Sequence, residues 1–311
     1  MKHYFKIIKN FLPESVKKWV EKRALDYKLK KHRERKERFK VSFAEIENVL
    51  ANFSFDFDFI IHSSISNIGS VENSGQLAKL ILSKVDLERF TVLAPALPFL
   101  GSVKEYLENL ELFDLANARN AMGKIPNQIM KLEGCKRSFH PSHSCIALGK
   151  RAAYYTIGHE NDETPFGKES PFYKLTLSNG KILMFGVGLN SVTNFHVYED
   201  LMGDLLPFKV YDDKVYSIPS KNEEIEKQIL TRAHNPSLSA IRDCERARKK
   251  LIEKGYIRTF GVGASEISLL DAKGLTIVLL EMLLEGLSIY GKACLNELQV
   301  AKVKDILEEL K

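Results

Sequence analysis

This chain of 311 residues predicts an α/β fold preceded by a basic helical arm, and three observations carry that reading. Short strand-like runs alternate with amphipathic helical stretches, the order of an α/β layer architecture. Polar loops of Ser, His, Gly and Pro follow those runs, where open α/β sheets bind ligands. The charge, finally, is uneven. Residues 1–40 hold fifteen Lys or Arg against five Asp or Glu, a balance of +10 within a net +6, so the rest of the chain carries −4.

The arm comprises residues 1–43. Val16, Trp19, Val20, Ala24 and Tyr27 recur at spacings of three and four, a narrow apolar stripe, and Lys28 to Arg38 is a charge run. One reading is a solvated helix that packs its stripe on the body. The main rival is an interfacial membrane helix, because Phe5, Ile7, Ile8, Phe11 and Leu12 sit beside lysines. Contact with a partner protein through 1–43 is a further alternative, and nucleic-acid binding ranks last because nothing elsewhere supports it. The first residues lack a clean apolar core and a small-residue cleavage site, so they do not read as a secretory signal. No run approaches the roughly 18 apolar residues of a membrane span. A cytoplasmic location is therefore the expectation, peripheral at the inner membrane surface if the arm binds lipid.

The body, 44–311, opens with a short helix at Phe43–Leu50. Phe55–His62 alternates and ends in an apolar run, a strand; Ser63–Gly69 is a loop, Gly75–Val85 a helix and Phe90–Ala94 the next strand. Further strands are expected at Ser144–Leu148 and, after a Ser-Asn-Gly turn, at Lys181–Val187. Helices are expected at Pro126–Leu132, Asn194–Met202, from Glu223 through Lys227 onward, Ala264–Ser268, Leu275–Glu285 and Leu295–Leu310. The four cysteines, Cys135, Cys145, Cys244 and Cys294, are scattered without zinc or disulfide spacing and read as buried free thiols.

Four clusters bring reactive side chains to strand ends. His62 to Gly69 (HSSISNIG) offers hydroxyls and backbone N–H groups to an anionic phosphate, although it lacks the ending of a P-loop. Arg137 to Ser144 (RSFHPSHS) has a guanidinium suited to phosphate or carboxylate. It also has His140 and His143, which Pro141 and the lack of a third ligand argue against as a metal pair. Thr164 to Tyr173 reads as a surface turn. In Thr193 to Glu199 (TNFHVYE), Thr193 is a candidate helix N-cap. His196 and Glu199 then share a helix face at i and i+3. A carboxylate beside an imidazole orients it and stabilises its protonated form, as a general base requires.

Taken together, these stretches resemble the aminoglycoside 3-N-acetyltransferase family, the antibiotic N-acetyltransferases that are distinct from the GNAT fold. The matching segments are HSSISNIG at 62–69, MGKIPNQIMKLEGCKRSFHPSHSCIALGKRA at 122–152, FGKESP at 166–171 and KILMFGVGLNSVTNFHVYE at 181–199. The resemblance implies a three-layer α/β/α sandwich around a central mixed sheet, with CoA and catalytic motifs in 55–199 and an acceptor-shaping, helical region in 200–311. It implies direct transfer from acetyl-CoA to an amine, with His196 as base and Glu199 as its orienting partner. His62, Ser63, Ser64, Ser66 and Gly69 would border the CoA, and Arg137 and Ser138 would face its phosphate or pantetheine. His140, His143 and Asp200 would contact the acceptor, and no metal or redox cofactor is needed.

Departures from the family pattern shape the expected substrate. Ala96 stands where members usually carry Thr, the basic arm is an addition, and little is recognisable beyond Glu199. A polycationic aminoglycoside needs an acidic pocket. The body is only −4, although Glu160, Asp162, Glu163, Asp200 and Asp204 offer local charge. The sequence reading therefore prefers an amino sugar of surface-glycan or related carbohydrate biosynthesis as acceptor. Its alternatives are an aminoglycoside 3-N-acetyltransferase conferring antibiotic resistance and a non-catalytic binding member of the fold.

Overall fold

The computed structural model describes residues 14–311. Among these, seven strands form one mixed sheet in the order β11-β12-β8-β2-β4-β7-β6. Its centre is β2 (Phe59–Ser63), parallel to both β4 (Thr91–Pro95) and β8 (Lys181–Phe185). On one side β7 (Cys145–Gly149) and β6 (Lys136–Arg137) add antiparallel; on the other β12 (Ser265–Asp271) and β11 (Ile257–Val262) do the same.

Strand alternation sends neighbouring side chains to opposite faces, and each face has its own core. Ile60, Leu93, Ala147, Ile182 and Met184 pack with the helices Pro171–Leu177 and Ala272–Leu284. Phe59, Ile61, Val92, Ile146 and Leu183 pack with the helices Phe43–Leu50 and Leu77–Leu82. The sheet is thus covered on both faces. A separate three-stranded sheet joins β5 (Phe113–Asp114), β9 (Tyr211–Lys221) and β10 (Glu226–His234) over a smaller cluster including Phe113, Phe139, Tyr216 and Ile229.

Several expectations need correction. The stretch from Glu223 onward is not helical: β10 runs antiparallel to β9, and Ile229, Thr231 and Ala233 alternate inward. Ala264–Ser268 is likewise not helical: Ala264 ends a turn and Ser265–Ser268 belong to β12, which pairs with β8. The region 200–311 therefore supplies six strands besides its helices. Cys145 and Cys244 are buried as expected, but Cys135 is half-buried and Cys294 exposed.

The arm also differs from its simplest reading. It is a helix over Glu14–Arg38, yet Trp19 and Tyr27 are about 60% exposed (59% and 62%), so the stripe does not pack on the body. Among the described residues, its end is tied down. Arg35 donates to Asn67 at 2.9 Å, and β1 (Lys40–Val41) pairs parallel with β3 (Ser70–Val71). Ser42 then caps the next helix in a reciprocal box with Glu45. The apolar residues Phe5 to Leu12 lie outside the described residues. Among the described residues, no helix is long and apolar enough to cross a membrane.

Candidate active site

The segment after β8 builds the reactive pair. Short 3-10 turns at Leu189–Ser191 and Asn194–His196 lead into the helix Val197–Met202. Buried Asn194 donates to the carbonyl of Phe172 at 3.1 Å, which fixes the start of that helix against its neighbour. The i, i+3 spacing brings His196 Nδ1 to 2.6 Å from Glu199 Oε2, with both residues buried. Thr193 makes no capping bond; its hydroxyl lies 3.4 Å from Nε2 of His62 instead.

Burial governs the protonation of this pair. It holds His196 well below the ordinary imidazole range, helped by neighbouring His234 and Arg242, and pushes the Glu199 carboxyl up. Tyr290 opposes the rise by donating its hydroxyl to Glu199 Oε1 at 2.5 Å. With Nδ1–H given to Glu199, the neutral ring keeps Nε2 as an acceptor, the state a general base needs. The ring is held between aromatic neighbours, Phe166 with centroids at 4.6 Å and His234 at 4.0 Å. His196, Glu199 and His234 also offer donor atoms within 4.8 Å of one another, a set that could hold a metal ion. Holding a metal through these atoms would require an ionised Glu199 and a neutral His196 with its ligating nitrogen free, whereas Nδ1 lies 2.6 Å from Glu199 Oε2.

Several partners here were not foreseen from sequence. Tyr290 and His234 reach Glu199 from 91 and 35 residues further along the chain, His234 Nε2 lying 4.0 Å from Oε2. The segment Thr164 to Tyr173 is no mere surface turn: Phe166 is fully buried on His196, and Thr164 donates to Asp200 at 2.6 Å. FGKESP in the sequence marked that loop without revealing the contact.

Two cavities bear on the site: Glu199 lines the first, and Ser63, next in the chain to the His62 that meets Thr193, lines the second. One, of about 760 Å³, is lined by Glu163, Glu199, Asp200, Asp204 and Asp213, against which stand only Lys209 and Arg232. Both of those cations are engaged, Lys209 with Asp213 and Arg232 with Glu163. Asp200 accepts from Thr164 and from Tyr211 (2.8 Å), but burial outweighs these bonds and lifts its pKa to about 6. Of the acids named from sequence, Glu163, Asp200 and Asp204 line this cavity, while Glu160 and Asp162 do not.

The second cavity, of about 560 Å³, carries the opposite character. Ser63, Ser64, Ser66 and Gly69 line it, joined by Ser70, Ser74, Lys36 and Lys124, and no carboxylate does. Gly69 is required there: its φ is +137°, and a Cβ would stand 2.5 Å from the carbonyl oxygen of Phe39.

Other expected contacts are taken up inside the protein. Arg137 spends its N–H groups on Ser144 Oγ (2.9 Å) and the carbonyls of Ala96, Ala118 and Arg119. Ser138 is fully buried, bonded to His159 and to the backbone N–H of Cys145. These bonds tie loops to the sheet, and neither residue is among those lining the serine-lined cavity. His62 is buried behind the serine-lined cavity, its pKa pushed down to about 3. His140 is wholly buried and accepts from two backbone N–H groups, of Ser142 and His143, with Thr231 at 3.3 Å. His143 packs on Phe166 and His234.

A family model described as aminoglycoside 3-N-acetyltransferase matches residues 60–283. The aminoglycoside N(3)-acetyltransferase IX of Micromonospora chalcea is 26% identical over 260 residues, which cover 75% of this chain and 89% of that enzyme. Two solved structures share the fold. AAC-IIIb in a binary complex with CoASH has a TM-score of 0.60 at 21% identity, covering 77% of this chain and 94% of that one. AAC-VIa bound to sisomicin has a TM-score of 0.61 at 22% identity, covering 76% and 95%.

Proposed function

The chain belongs to the aminoglycoside 3-N-acetyltransferase family, and from that premise we propose that it moves an acetyl group from acetyl-CoA to an amine of a polycationic, aminoglycoside-like sugar. The observation that carries the acceptor assignment is the acid-lined cavity beside Glu199. Five carboxylates against two paired cations suit a multiply protonated amine and repel an anionic sugar nucleotide. The preference for a surface-glycan amino sugar gives way on the same ground. The average charge of −4 concealed where the acids gather, and the curated relative is named for an aminoglycoside activity.

In this reading the serine-lined cavity takes acetyl-CoA, and AAC-IIIb with its bound CoASH supports that donor class. The acceptor docks among the carboxylates, its reacting nitrogen giving its first proton to solvent water to become the neutral amine. His196 Nε2 takes the amine proton as nitrogen attacks the thioester carbonyl, and Glu199 offsets the charge that the imidazole gains. Collapse of the tetrahedral intermediate forms the amide, breaks the C–S bond and releases CoA, whose thiolate recovers the proton from His196. The buried, aromatic-walled setting of His196 keeps the ring neutral beforehand. The intact Glu199–His196–Tyr290 arrangement favours this over a non-catalytic role. A thiol-release assay with acetyl-CoA and aminoglycosides tests it: turnover that disappears in His196→Ala is expected, and wild-type turnover in that variant would refute it.

A further inference from the structure

The arm lies outside the stretch that the family model matches, yet its last turn reaches the serine-lined cavity. The attachment is specific. Arg35 binds Asn67, whose own amide donates to the carbonyl of Gly186 at 2.9 Å, so helix, serine loop and β8 are joined in series. The carbonyl of Phe39 accepts from Ser70 N–H at 2.9 Å, and β1 lies along β3. The arm thereby holds Lys36 at the cavity wall, while Lys124 comes to the same cavity from a different segment. Both lysines are exposed, whereas Ser63, Ser64 and Ser66 are half-buried. The cavity is thus uncharged within and cationic at its rim.

Acetyl-CoA has the matching polarity. Its pantetheine thioester is uncharged, and its phosphates sit together at the nucleotide end. We propose that the arm completes the donor site, Lys36 and Lys124 binding the phosphates at the nucleotide end of CoA while the serine loop receives the pantetheine. The inference rests on the reading of this cavity as the donor site. It gives part of the +10 charge of residues 1–40 a role in substrate binding. An ammonium at an exposed rim acts through a partly screened field, so the effect belongs in KM and weakens with salt.

The test is steady-state kinetics of the full chain carrying Lys36→Glu, with acetyl-CoA and with acetyl-pantetheine, which has the thioester but no phosphate. At low salt KM for acetyl-CoA should rise about three- to tenfold, with kcat and the acetyl-pantetheine KM unmoved. Lys36→Arg should stay near wild type. Lys22→Glu, roughly 21 Å away along the helix, should have no effect. An unchanged acetyl-CoA KM in Lys36→Glu overturns the proposal, as does an equal rise with acetyl-pantetheine or in Lys22→Glu. Ser64→Tyr separates the two levels by putting bulk inside the cavity. If it raises KM for both donors while Lys36→Glu does nothing, the arm's role alone fails. If Ser64→Tyr moves neither KM, the donor-site reading fails with it.

Discussion

The acidic cavity and the serine-lined cavity are opposites in charge. One is walled by five carboxylates and keeps its two cations paired; the other has five serines and two lysines and no acid. Near-neutral averages hide this separation, because the local fields arise from residues that converge only after folding. A transferase joining a polyanionic donor to a polycationic acceptor gains from such a division, since each substrate is drawn to one side and repelled from the other. Glu199, the partner of His196, is itself part of the acidic wall.

The division can be tested by changes that should touch one side only. The largest effect belongs to the His196–Glu199 pair. His196→Ala should lower kcat about 10²- to 10⁴-fold and leave CoA binding by calorimetry close to wild type. Next comes the acidic side. Asp200→Asn removes a buried carboxylate while keeping much of its shape, and should raise the acceptor KM by about tenfold or more. The acetyl-CoA KM should stay unmoved; a parallel rise in both would blur the comparison.

Tyr290→Phe should act more mildly. Losing the hydroxyl donated to Glu199 leaves a less well-fixed carboxylate, and kcat should fall by about tenfold with neither KM altered. The smallest effect is one of pH. Asp200 titrates near 6, raised by burial. Above that pH it is ionised and attracts the ammonium; as pH falls through about 6 it becomes neutral, so the acceptor KM should climb. Asp200→Asn should flatten that dependence, and acetyl-CoA KM measured over the same interval should not share it.

The same contrast explains what could be read from sequence. His196 and Glu199 were legible because both sit in one helical turn, where spacing alone puts them on one face. The serine loop was legible because it is continuous, Ser63 to Gly69. The acidic cavity was legible only in part: Glu163, Asp200 and Asp204 stand out as local charge, but the cavity gathers residues from Glu163 to Gln299 around a hairpin whose second strand has the composition of a helix. The inward alternation of Ile229, Thr231 and Ala233 was the available signal. Arg137 misled in the other direction. A guanidinium beside two histidines suggests an anion, but here backbone carbonyls and Ser144 consume its donors. Tyr290 had no local signal, because its contact with Glu199 spans 91 residues.

The central claim, that the acidic cavity selects a polycationic acceptor, is tested most directly by comparing kcat/KM for acetyl transfer across acceptors. The panel should pair a multi-amine aminoglycoside with a single-amine hexosamine and an amino-sugar nucleotide. A preference for the aminoglycoside of about 10²-fold or more is the predicted result. Efficient turnover of the sugar nucleotide, with the aminoglycoside ignored, would contradict it.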